Sequence, residues 1–597
     1  MIWQTHLNKT ILLLLLTLLT AGCGAVGTSG ADLEPTVTPT AEPTPTGRGQ
    51  GDTLRLLFWQ APTILNPHLT VGQKDWGASR ITYEPLASFD EAGELVPFLA
   101  AEIPSLENGG VAEDGRSVTW QLRQDILWSD GEPFTSADVT FTYDFIANPA
   151  TGATTTAVYD AVDSVEALDD YTVRVNFKAV TPAWFLPFVG VQGLIIPRHI
   201  FADYNGANAL DSNAVLPVGT GPYRVVSFKP QEVLFLGNQL VETNKLTYEP
   251  NPYFRDVDKP YFSKVELRGG GTPNEAARSV LQVGDVDFAL NLQLEAEELA
   301  ALEAGGQGHL LAPFGAMVER ILLNRADPGH LTDDGERANA DFPHPILSDL
   351  KVRRALALAI DREAIAALYG PTGRPTSNVL VSPANYDSPN TSFEYNLEKA
   401  AALLDEAGWI DSDGDGLRDK EGVEMKLLFQ TSENAVRQQT QRIVQNSLRQ
   451  IGIEVQVKII PASVFFSNTP SNTDTRFHFY ADLEEFQTGN RSPDPGAYMK
   501  SWTCDEITQK SNDWTRANIE RWCSPGYDVL YDQSTIELDP EKRQQLFIEM
   551  NNLMIEDVVI IPLVHRADVS GVSQTIQNIE LTPWDATTWK IEDWRRQ

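Results

Sequence analysis

The chain has 597 residues, 46 basic and 82 acidic side chains, a formal net charge of -36, and 42% apolar content that includes 13 Trp, 16 Tyr and 25 Phe. That length exceeds one core and points to roughly three to five structural units, while the acidity argues against nucleic acid or an anionic surface as a partner. Three cysteines exclude a disulfide-scaffolded fold, and no CxxC pair or Cys/His cluster offers a zinc site.

The first residues carry Lys9 and no acid, and residues 11 to 19 are apolar apart from Thr17. This is the pattern of an export signal, too short for the roughly 20 apolar residues that span a bilayer. Thr20-Ala21-Gly22-Cys23 resembles the lipobox of bacterial lipoproteins, with Thr20 where a Leu is usual. It predicts a signal peptide over 1–23 and a lipid on Cys23; plain secretion with a leftover thiol is the alternative. Residues 24–50 are rich in Thr, Pro and Gly, with Pro35, Pro39, Pro43 and Pro45 and almost no large apolar side chain. They read as an extended tether between membrane and folded body.

The folded body opens at residues 53 to 59, an apolar run without clean alternation, as in a strand buried on both faces. Asp114-Gly115 is a turn, after which Val118, Trp120 and Leu122 alternate with polar residues in the period of a half-buried strand. A second turn at Asp130-Gly131 precedes Thr135, an N-cap for a helix through Val139, Tyr143 and Ile146 with Asp138 in its first turn. Val173, Val175 and Phe177 predict a further strand. Gly219-Thr220-Gly221-Pro222 lacks the Lys and the helix that a phosphate loop requires and runs instead into a strand through Val225, Val226 and Phe228.

Val352, Ala355, Leu356, Ala359 and Ile360 form a helical stripe, with Arg353 and Arg354 read as its solvated face and Asp361 as the cap of the next helix. Asn396 opens a helix with Ala400, Leu403, Leu404 and Ala407 inward and Gly408 at its end. A longer helix over residues 432 to 451 stops at Gly452 and leads into Ile453, Val455, Val457 and Ile459 at strand period. Helices over a sheet make this part an α/β lobe. No G-x-S-x-G, H-E-x-x-H or Walker loop is present, and the eight histidines are scattered singly.

These segments also resemble a known family. Asp114-Gly115, Leu122-Arg123, Asp130-Gly131, Ala137-Asp138-Val139, Thr63-Ile64-Leu65-Asn66-Pro67, Tyr83-Glu84-Pro85-Leu86, Val218 to Tyr223, and Ser348 to Arg362 are similar to the recurring segments of the family 5 extracellular solute-binding proteins of ABC importers, the dipeptide, oligopeptide and nickel class. The resemblance implies an α/β, type II periplasmic-binding architecture of three lobes (cluster C), with the solute in a cleft between them. Lobe I is expected at 51–84, 210–310 and 558–597, lobe II at 85–209 and lobe III at 311–557. It also implies a monomeric receptor, no required cofactor, no catalysis, and an importer permease as partner. The expected place is the outer face of the membrane or the periplasm, with a short peptide as the first-choice solute. An oligosaccharide or other non-peptide solute is the alternative, and a tethered surface hydrolase the reading from a different class.

Candidate aromatic walls for the ligand are Trp59, Tyr83, Tyr498, Trp502 and Trp522, each with core packing as its alternative; Glu84 is a candidate beside Tyr83. In peptide-binding relatives an acid about three places before the Asp of a "DP" segment anchors the ligand's amino terminus. Here Asp494-Pro495 is that segment and Arg491 holds the acid's place. An arginine cannot pair with an ammonium group, so either Asp494 or Asp482 does that work, or the ligand presents a carboxylate, phosphate or sugar. Two cysteines remaining in an exported chain predict a Cys504–Cys523 disulfide. Asp411, Asp413, Asp415 and Asp419 copy positions of a calcium loop, although Gly422 stands where the bidentate Glu belongs; a structural calcium and a plain acid-rich turn are both open.

Overall fold

The computed structural model describes residues 47–70, 72–236, 239–466 and 471–597. The export signal, Cys23 and the tether up to residue 46 lie outside the described residues. Among the described residues no helix is long and apolar enough to cross a membrane.

Gly51–Phe58, the run without alternation, is an interior strand. It pairs in parallel with Phe262–Gly269 on one side and Phe288–Leu290 on the other; Leu54, Leu56 and Phe58 are buried on one face and Leu57 on the other, while Arg55 stays exposed. It belongs to a seven-stranded sheet in the order Gly308–Leu311, Ser570–Ser573, Phe288–Leu290, Gly51–Phe58, Phe262–Gly269, Gln239–Pro250, Tyr223–Leu236.

A three-stranded sheet is built from Ser117–Gln121, Thr172–Phe177 and Val162–Asp169. Val118, Trp120, Val173 and Val175 fill its core together with Val139 and Ile146 of the helix Ser136–Ala147. Thr135 caps that helix reciprocally: its hydroxyl accepts from the Ala137 N–H at 3.3 Å while Asp138 accepts from the Thr135 N–H at 3.0 Å.

The third layer is a six-stranded sheet in the order Gly373–Pro375, Ile560–Ala567, Phe314–Leu323, Leu483–Thr488, Lys426–Ser432, Glu454–Ile460. Helices Leu350–Leu358, Leu397–Glu406 and Ala435–Arg449 contribute to the core on its covered face. Asp361 and Asn396 cap helices as their positions predict, accepting from Ala364 and Lys399 at 2.9 and 3.0 Å.

Three expectations change here. Arg353 is not on a solvated face: it is 1% exposed and donates to Asp557 and to the carbonyls of Leu347 and Ser348. Val457 and Ile459 stay half exposed because Glu454–Ile460 is the edge of its sheet. And Ile560–Ala567 pairs with Phe314–Leu323, so the last return to the seven-stranded sheet comes after Ala567, not at 558.

The chain passes between sheets near Thr82–Pro85 and returns near 218–222, and these crossings are tied together. The Gly221 N–H donates to the Thr82 carbonyl at 2.8 Å, and a Cβ on Gly219 would overlap that same carbonyl oxygen. The glycine is needed for close approach rather than for an unusual turn. Gly219→Ala is therefore expected to cost about 1–3 kcal/mol by forcing the two crossings apart, read as a lower denaturation midpoint; an unchanged midpoint counts against the contact.

Candidate functional site

Strand alternation sorts the side chains of the six-stranded sheet to two faces. On Phe314–Leu323, Ile321 and Leu323 enter the helix-covered core, whereas Arg320 and Leu322 face the opposite way into a cavity of about 420 Å³. Phe486 on Leu483–Thr488, the register partner of Arg320, lines the same cavity. The segment Val189 to Gln192 closes it from the side of the three-stranded sheet, and Trp584 from the C-terminal segment.

The guanidinium of Arg320 is caged by rings, 5.2 Å from the Trp502 centroid, 5.7 Å from Phe486 and 5.9 Å from Tyr498, and donates to the Tyr498 hydroxyl at 2.7 Å. Arg476 lies 4.3 Å from the Phe477 ring and 5.1 Å from Phe486. Tyr498 and Trp502 meet edge to face at 4.9 Å. Trp502 Nε1 donates to Glu520 at 3.3 Å, and burial pushes the Glu520 carboxyl above the usual range. A disulfide joins Cys504 to Cys523, tying the segment that carries Trp502 to the one that carries Glu520.

Of the residues singled out from the sequence, Arg491, Asp494, Tyr498 and Trp502 line this cavity. Arg491 is exposed at its rim and also faces an adjoining space of about 130 Å³. Asp494 is already occupied: both its oxygens accept from Arg543, and one also takes the Gly496 N–H at 2.8 Å.

The others lie elsewhere. Trp522 packs on Tyr527 and donates to Asp557 at 2.6 Å. Trp59 donates to the Asn291 carbonyl at 2.9 Å. Tyr83 is fully buried with Leu69, Phe141 and Phe145, which pushes its hydroxyl far above the usual range. Glu84 is held by Arg255 at 2.7 Å. Asp482 accepts from the His344 ring at 2.8 Å and does not line the cavity.

Asp411, Asp413 and Asp415 come together, with carboxylate oxygens within 4.8 Å of one another, all exposed. These are the oxygen donors a hard cation takes. Asp419 is turned away to the Ser412 hydroxyl and N–H at 2.7–3.0 Å and does not join the cluster. None of the four lines the cavity.

Sequence reasoning passed over Arg320, Arg476 and Glu520. The available signal was the Glu319-Arg320 pair inside the otherwise apolar run of Phe314–Leu323, since a charge within a buried strand is more informative than any exposed apolar residue.

Helices over sheets, a chain that crosses between them repeatedly, and a cavity lined from both sides of the crossings define a cleft-type solute-binding protein. The chain belongs to the bacterial extracellular solute-binding proteins, family 5, whose "Middle" family model matches residues 94–509. It is 26% identical over 421 residues to the oligopeptide-binding protein AppA of Bacillus subtilis, covering 69% of this chain and 70% of that one. It is 28% identical over 534 residues to protein XP55 of Streptomyces lividans, covering 89% and 85%. Its fold matches that of NikZ from Campylobacter jejuni, solved in complex with Ni(L-His), with a TM-score of 0.70 at 21% identity over 91% of this chain and 99% of that one.

Proposed function

We propose that the protein is a lipid-anchored receptor that takes a short peptide into the cavity between its lobes and delivers it to the permease of an ABC importer. The observation that carries this reading is the cavity itself. At about 420 Å³ it falls within the roughly 300–1,000 Å³ of small-molecule sites, and its walls come from segments on both sides of the chain crossings. A ligand touching both walls favours the closed arrangement over the open one, which is how hinge closure is driven. The cavity also adjoins a groove of about 640 Å³ between residues 178–187 and the 494–543 region, room for a chain to extend. The oligopeptide-binding name of the Bacillus subtilis relative supports the choice of peptide.

The test is a thermal-shift panel of di- to hexapeptides, oligosaccharides and nickel chelates. A ligand present at about 100 times its Kd adds roughly 2.7 kcal/mol to apparent stability, so a peptide in the panel is expected to raise the melting temperature clearly. If only sugars or chelates do so, the peptide assignment falls; if nothing does, the receptor reading falls with it. For the anchor, Cys23→Ala is expected to move the protein from the membrane fraction to the soluble one, and persistence in the membrane overturns that part.

A further inference from the structure

Resting on the receptor reading, we propose that the solute is held by a carboxylate, received by the three guanidinium groups of Arg320, Arg476 and Arg491. The residues come from separate parts of the chain and line one cavity. Arg320 and Arg476 share the ring of Phe486, at 5.7 and 5.1 Å from its centroid. Burial lowers the Arg476 pKa, and Arg320 and Arg491 lower it further against Glu484 and Glu520, so the three cations feel one another.

What sets them apart is that, among the described residues, they line the cavity without a salt bridge. Elsewhere Arg80, Arg255, Arg353, Arg437 and Arg543 each meet a carboxylate, and Arg362 and Arg521, which do not line the cavity, donate to backbone carbonyls. Among the described residues none of the three cavity arginines forms a salt bridge, and the buried Nε atoms of Arg320 and Arg476 have no hydrogen-bond partner. Uncompensated buried donors of this kind are costly, and a ligand anion removes the cost.

The acids nearby have other partners. Asp494 is taken by Arg543. Glu520 accepts from Trp502 and Glu484 from Gln430, and among the described residues neither forms a salt bridge with the three arginines. A cationic pocket thus sits in a chain of net charge -36. Planar guanidinium forks on an aromatic floor suit a planar carboxylate, which accepts paired N–H donors. For a peptide, this carboxylate is the one at its C-terminus.

Calorimetric titration of the full-length, detergent-solubilised protein with tetra-alanine, its C-terminal amide and its N-acetyl form tests the proposal, with citrate as a non-peptide carboxylate. Amidation is expected to weaken binding roughly tenfold or more, since a charge-assisted bond is lost, while N-acetylation leaves it unchanged. The acid–amide difference is expected to shrink in Arg476→Gln and in Arg491→Gln, the latter at an exposed, unpaired position where folding is not at stake. If tetra-alanine binds and amidation changes nothing, or if the difference survives both substitutions, the carboxylate proposal is overturned while the peptide receptor stands. If no peptide binds but citrate does, and Arg476→Gln abolishes it, the carboxylate proposal holds and the peptide assignment falls. If neither binds, both fall.

Discussion

Glu319→Gln is expected to destabilise the protein by about 3–5 kcal/mol, the cost of removing one partner from a buried ion pair. Glu319 is 1% exposed on the strand Phe314–Leu323. Its carboxylate accepts from Arg437 Nε and Nη2 at 3.0 Å and from Arg566 Nη1 at 3.1 Å. One acid therefore holds the helix Ala435–Arg449 and the strand Ile560–Ala567 against the strand between. Burial alone would raise its pKa, but Arg437 and Arg566 outweigh that and hold it below the usual range. A depressed carboxyl contributes stability above its unfolded pKa and loses it as the pH falls through the folded value. The neutral amide leaves two buried guanidinium groups facing each other across the gap. Denaturant unfolding at neutral pH measures the loss. The exposed pair Lys399–Glu394 supplies the contrast, because Lys399→Gln is expected to leave the midpoint where it was. A Glu319→Gln midpoint indistinguishable from that of Lys399→Gln would falsify the buried triad as a stabilising unit.

The second expected result is that Glu592 contributes stability that is lost as the pH rises from 5 to 8. Burial and the neighbouring Glu84 push its carboxyl from 4.5 up to about 7, against the pull of Arg80 and Arg255. Between those values the folded protein keeps a proton that the unfolded chain releases. The contribution is therefore fully present below the unfolded pKa and is lost as the pH climbs through the folded one. At 1.36 kcal/mol per unit this amounts to roughly 3 kcal/mol. Burial drives the carboxyls of Glu484, Glu485 and Glu520 in the same direction, whereas His68 and His565, lowered to about 4 by burial, act the opposite way, so the effect of Glu592 is read as the difference between the parent and Glu592→Gln. Glu592→Gln is expected to remove about 3 kcal/mol of the fall and to stabilise the protein at pH 8. Equal slopes in the parent and in Glu592→Gln would remove Glu592 from the account.

Local elements were legible because their causes are local. The caps at Thr135, Asp361 and Asn396 depend on a side chain reaching an N–H within three residues. The strand of Val118 and Trp120 depends on a two-residue period. The family segments, from Thr63-Ile64-Leu65-Asn66-Pro67 to Asp361-Arg362, are short strings of such turns and caps, and so carried the three-lobed fold with them.

The binding surface was legible only in part, because an aromatic ring that lines a cavity and one that fills a core share the same apolar signature. Partners distant in sequence made the distinction. Trp522 is drawn inward by Asp557 and Trp59 by Asn291, whereas Trp502 and Tyr498 are turned to the cavity around Arg320. Asp494 kept the expected place but lost the expected freedom, since Arg543 on the helix Pro540–Glu556 reaches it. By itself the sequence determined individual strands, helices and caps, the export-signal pattern and the family. Tertiary structure alone decided which charges are cancelled and which are left facing the cavity, because electrostatic pairing acts through space and the residues that pair are far apart along the chain.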